Sequence, residues 1–213
     1  MRFKLFGVPV QVDLWFFLVM AMLGGGLSQP FDAPRVLAFV LAGFISVLFH
    51  EFGHALSGRR LGGGLPAVQL IAFGGLCIFP DARFTRSQRM LMTAAGPGAG
   101  FLLAGITFLV ALALRQGNLL PPPGSFGSAF INAMLWINVV WSILNLLPIF
   151  PLDGGQLLRD ILGPGKEKIC RMVGLFLCII LAPLAFMNGF LIGAIMLLFL
   201  GYGNFKGSIG RTI

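Results

Sequence analysis

Both histidines of this 213-residue chain fall in one block, His50-Glu51-Phe52-Gly53-His54. Residues at this spacing share a helix face, about one turn apart. On that face two imidazoles can hold one zinc ion, and the glutamate beside the first can act as a general base. The block lies inside the apolar run Val36–Leu56. Ionisable side chains at membrane depth are costly and mark function by default. The same pattern also occurs by chance on soluble helices, and the apolar setting is what separates the two readings.

Zinc catalysis needs three protein ligands and one open position for water. No third histidine exists, so the remaining ligand must be Cys, Asp or Glu. Cys77, Cys170 and Cys178 show no metal-ligand spacing and read as small apolar packing residues. Of the 7 acids, Asp13 and Asp32 lie towards the ends of the first apolar segment and its outside loop, and Asp81, Asp160 and Glu167 in basic loops. Glu51 has its own role. Asp153 is left, after a helix that ends on the same side as the His50 helix. A turn aspartate before Gly154-Gly155 is the plainer reading of that residue, and the two roles are compatible. Bound zinc lowers the pKa of water towards about 7 and polarises a carbonyl. Glu51 would take a proton from the attacking water and pass it to the leaving amine. Amide hydrolysis is the natural output. Asn145 is either a donor to the substrate or a developing oxyanion, or a helix-end hydrogen bond near Pro148.

The elements that must position these residues are apolar. The chain is 57% hydrophobic and 10% charged, whereas a soluble domain carries about 25% charged residues. This composition predicts an integral, multi-pass membrane protein with spans at about Leu14–Leu27, Val36–Leu56, Met90–Leu114, Ala129–Leu147, Ile169–Phe186 and Phe190–Gly203. The first span reads as a retained helix rather than a cleaved signal. With the N-terminus in the cytoplasm, all of the 15 basic residues except Arg35 and Arg115 fall inside, Lys206 and Arg211 among them. That asymmetry puts both termini in the cytoplasm. It also assigns the net charge of +8 to topology and not to nucleic-acid binding.

Residues Phe3 to Val12 alternate briefly and read as a short strand or interfacial segment. The stretch from Pro66 to Pro80 is too short to cross a bilayer as a helix. Gly74-Gly75 at its centre predicts two short strands around a turn. Strand backbone cannot face lipid, so this piece must pack on protein or line a wet cavity. A re-entrant hairpin satisfies that, and a loop on the cytoplasmic surface is the alternative. Gly96 and Gly100 let another helix approach the third span. Pro148 and Pro151 break the fourth, leaving Asp153 on irregular backbone. The fold expectation is an all-α membrane protein, about six transmembrane helices with a short re-entrant β-hairpin, in one domain over 1–213.

Three blocks resemble the site-2 protease family of intramembrane zinc metalloproteases. They are Phe49-His-Glu-Phe-Gly-His54, the run Asn145-Leu-Leu-Pro-Ile-Phe-Pro-Leu-Asp-Gly154, and Ala95-Gly-Pro-Gly-Ala-Gly100. The resemblance covers about 36–155, with helices at 14–27, 169–186 and 190–203 flanking it. It implies one zinc per chain on His50, His54 and Asp153, catalysis by Glu51, and substrate assistance by Asn145. It also implies that the hairpin around Phe73-Gly74-Gly75 contacts an extended substrate. Gly100 stands where the family often has asparagine. The chain looks like the compact form, without PDZ or CBS domains. Family substrates are single-spanning membrane proteins, often anti-sigma factors or membrane-tethered transcription factors, cut to release a cytoplasmic part. A prokaryotic inner membrane is the implied location. Two rival readings are a metal transporter and an inactive relative serving as a membrane binding scaffold. The first is disfavoured because the polar groups cluster at one depth, the second because Glu51 and all three candidate ligands are present.

Overall fold

The computed structural model describes residues 1–209, so Arg211 lies outside the described residues. Residues Met1–Ser142 form one compact unit, and residues from Ile143 onward a second.

The first unit opens with strands β1 (Arg2–Leu5) and β2 (Val8–Val12), then helix α1 (Leu14–Ala21), which continues as a π-helical turn over Met22–Gly26. Helix α2 spans Ala33–Arg60, strands β3 and β4 span Ala67–Ile71 and Gly74–Ile78, helix α3 spans Arg86–Gln116, and α4 spans Phe126–Asn145. The hairpin expected within Pro66–Pro80 is half of a four-stranded sheet in the order β1-β2-β3-β4. Its turn is Ala72-Phe73, and the two glycines open β4 instead. Strands β2 and β3 pair in parallel, with Gln11 opposite Gln69. A parallel pair needs a long crossover, which α1 and α2 supply. Alternate side chains Val8, Val10, Val12, Val68 and Leu70 point into the core and meet Val47 and Phe52 of α2.

Local chemistry sets the helix ends. Asp32 caps α2 by accepting from the Arg35 amide at 3.0 Å. Arg59 and Arg60 oppose the dipole in its last turn. Helix α3 starts four residues earlier than the apolar run because Thr85 and Gln88 form a capping box, in which the Thr85 amide donates to Gln88 Oε1 at 2.8 Å.

In the second unit, α5 (Asp153–Leu162) precedes the helical pair α6 (Glu167–Met187) and α7 (Leu191–Ile209). The last apolar stretch is therefore two helices. Ile149, Cys178, Ala182 and Leu197 are buried together, and the cysteines are free. Glu167 pairs with Arg171 at 2.9 Å.

Among the described residues, 5 helices are long and apolar enough to cross a membrane: α2, α3, α4, α6 and α7. The first expected span is a shorter apolar helix, Leu14–Gly26. Its glycine run adopts non-helical backbone at Gly25 and ends it early. The chain is an integral membrane protein.

Candidate metal centre

The centre is built on α2. His50 and His54 are buried, one turn apart, with their Nε2 atoms 3.2 Å from each other. Tetrahedral zinc, bound at about 2.0–2.1 Å, sets two nitrogen ligands roughly 3.3–3.4 Å apart. The pair therefore fits a shared zinc ion, with both lone pairs converging. The tautomer of His54 follows from its other nitrogen. Nδ1 lies 2.9 Å from the carbonyl oxygen of Met92 on α3. A carbonyl can only accept, so Nδ1 carries the proton and Nε2 keeps its lone pair for a metal.

Helix α3 must come very close for this bond to form. At Gly96 a Cβ would meet His54 Nε2, and would lie 2.9 Å from His50 Nε2. The small residue read as a helix-packing feature is thus the roof over both imidazoles. Gly96→Ala should lower zinc affinity by about 10–100-fold, the range seen when groups behind the ligands are altered. Zinc content after dialysis against a chelator, with helical content as the folding control, checks this.

Glu51 is also buried, and faces the sheet. A Cβ on Gly75 of β4 would run into its carboxylate. Gly75 is therefore required by the catalytic candidate and not by the hairpin turn. In the same strand, burial, and second the charge of Glu51, push the Cys77 thiol up to about 12.

The other two sequence candidates belong to the second unit. Asn145 is the last residue of α4. Asp153, buried, is the first residue of α5 and so lies in a helical first turn rather than on irregular backbone. Of the acids set aside, Asp13 and Asp32 are N-caps and Glu167 is in an ion pair. Asp160 differs from its loop reading. It is buried on α5, 3.6 Å from Arg159 Nε. Its burial had no local signal, because the segment is too short and too polar to read as a packed helix. Met92 could not be found from sequence either, since the group it offers is a backbone carbonyl.

Similarity to known proteins runs over most of the chain. The chain is 26% identical over 206 residues to zinc metalloprotease MJ0392 of Methanocaldococcus jannaschii, covering 94% of this chain and 58% of that protein. It is 31% identical over 215 residues to Rip3 of Mycobacterium tuberculosis, a candidate zinc metalloprotease, covering 91% of this chain and 52% of Rip3. The chain thus spans about half the length of these curated relatives. Its fold matches the solved site-2 protease of Methanocaldococcus jannaschii with a TM-score of 0.71 at 24% identity, over 100% of this chain and 96% of that one. The model of peptidase family M50 matches residues 38–122 and 124–181, which take in the histidine block and the Asn145–Gly154 block. By that match over most of its length, the chain belongs to peptidase family M50.

Proposed function

We propose that this protein is an intramembrane zinc endopeptidase that cuts a transmembrane segment of a membrane protein near the cytoplasmic side. The observation that carries the reading is the His50–His54 nitrogen pair, 3.2 Å apart, with buried Glu51 beside it on a helix apolar enough to span. On this reading one zinc per chain would be held by His50, His54 and Asp153. When bound, it supplies Lewis-acid polarisation of the carbonyl and acidifies water. Glu51 accepts the proton of the attacking water and delivers it to the leaving amine. Asn145 donates a hydrogen bond to the substrate. The histidines are close enough to the basic end of α2 to fit a cut near the cytoplasmic face, with both termini on that side and a prokaryotic inner membrane as the setting. The substrate class is a single-spanning protein such as an anti-sigma factor or a membrane-tethered transcription factor.

Substrate must be held unwound, because a helix hides its amides in its own hydrogen bonds. Strand β4 ends the sheet, and no further strand among the described residues pairs with it. In its antiparallel ladder with β3, the closing pair is Ile71 with Gly74. Alternation then turns the amides of Gly75 and Cys77 to the open edge. An added strand would run beside Glu51 there. Proline at Cys77 removes an outward amide and spares the hairpin. At Leu70, on the inner strand, it would break the sheet itself. Cys77→Pro should reduce cleavage about tenfold, roughly one lost backbone hydrogen bond, with zinc retained. Wild-type turnover of that variant would remove strand addition from the mechanism.

The direct test is reconstitution with a single-spanning substrate in vesicles, with cut sites mapped by mass spectrometry and Glu51→Gln as the control. Cuts inside the apolar segment are expected. Cuts confined to the soluble part of the substrate would overturn the intramembrane reading.

A further inference from the structure

Asp153 is preceded by an irregular segment, and the question is what fixes that segment. Most of its carbonyls are satisfied nearby. The Ile149 carbonyl accepts from the Leu152 amide at 2.8 Å, and the Leu152 carbonyl from the Gln156 amide at 3.1 Å. The Pro151 carbonyl accepts from Gln156 Nε2 at 3.2 Å. The Phe150 carbonyl is different. It accepts from Nδ2 of Asn204, far along the chain on α7, at 2.7 Å.

Asn204 is fully buried. Its Nδ2 also donates to the Leu200 carbonyl at 2.8 Å, one turn back on its own helix. Its Oδ1 has no hydrogen-bond partner among the described residues. An unpaired buried acceptor is costly, and a leucine would fill this space without that cost. Helix packing alone therefore does not account for an asparagine here. The bond it makes to Phe150 does. Only Pro151 and Leu152 separate Phe150 from Asp153, and proline fixes its own φ, so the tether is short and stiff. The Phe150 ring is held as well, with the guanidinium carbons of Arg171 and Arg159 at 5.1 and 5.8 Å from its centre. Ile149 beside it is fully buried.

We infer that Asn204 is a positioning residue for the metal ligand Asp153, acting from the last helix through the Phe150 carbonyl. This rests on the reading of Asp153 as a ligand. The side-chain amide fixes where α5 begins, and with it the place of the carboxylate at its first residue. The role lies outside the catalytic blocks of the sequence.

The experiment compares zinc affinity, by chelator competition, in the 213-residue chain and three variants, with the unfolding midpoint of each zinc-stripped protein measured in parallel. Asn204→Leu should weaken zinc about tenfold, the lower end for groups that orient ligands, beyond any change in the zinc-stripped midpoint. Asn188→Leu is the control, because Asn188 makes the same bond one turn back, to the Leu184 carbonyl at 2.8 Å, on exposed helix end. It should leave affinity unchanged. Asp153→Ala should lose zinc. If it does and Asn204→Leu binds as wild type, the positioning role is overturned while the ligand assignment stands. If Asp153→Ala keeps full affinity, the ligand assignment falls and the positioning role with it. Should Asn204→Leu not fold, wild-type protein labelled with ¹⁵N-asparagine gives the answer. The Asn204 side-chain amide should shift when zinc is removed, and an unmoved resonance would overturn the proposal.

Discussion

Glu51→Gln is expected to retain zinc and to cleave about 10²–10⁴-fold more slowly than wild type, the usual contribution of a proton-transfer group. That corresponds to about 3–5 kcal/mol of activation free energy. The substitution is well chosen for its site. The side chain lies against Gly75, where even an added methyl group would collide with it. Glutamine has the same size and shape, so the slot stays filled and the sheet stays in place. What glutamine cannot do is accept a proton at neutral pH. A buried negative charge is also removed, so folding should not suffer. Turnover measured alongside zinc content separates the outcomes. Near-normal turnover would take Glu51 out of the mechanism, and loss of zinc would make it a ligand instead of a base.

His54→Ala should abolish activity by emptying the site. This variant removes two things at once. One is the Nε2 donor that faces His50 at 3.2 Å. The other is the 2.9 Å bond from Nδ1 to the Met92 carbonyl. A two-ligand remnant binds zinc far more weakly than a three-ligand site. The helix itself should survive, because alanine is the best helix former and the Asp32 cap at the far end of α2 is untouched. Purified protein should therefore carry little zinc at normal helical content. Full zinc occupancy would show that the histidine pair is not the metal site.

How far these features could be read in advance differed from residue to residue, for physical reasons. The His50–His54 face was legible because helical periodicity is local and the spacing fixes the face. The strand character of Pro66–Pro80 is legible too, but the turn lies at Ala72-Phe73, two residues before Gly74-Gly75. Glycine there looked like turn chemistry, and Gly75 is needed instead for the approach of Glu51. The N-terminal strands were glimpsed, but their partner was not. Parallel pairing of β2 with β3 is made by backbone groups, which every sequence offers equally. Asp160 looked like a loop acid, and its burial depends on which way a short helix faces.

Membrane embedding and the types and spacing of the α2 donors follow from the chain alone, because hydrophobicity and helical period are properties of neighbouring residues. Which nitrogen of His54 keeps its lone pair free is another matter. It depends on the Met92 carbonyl, brought in by a helix that begins 32 residues after His54 and passes close only because Gly96 has no side chain. The setting of Glu51 depends in the same way on a strand packed against α2. Those relations come from packing between distant segments, and no local pattern encodes the distance or direction of such an approach.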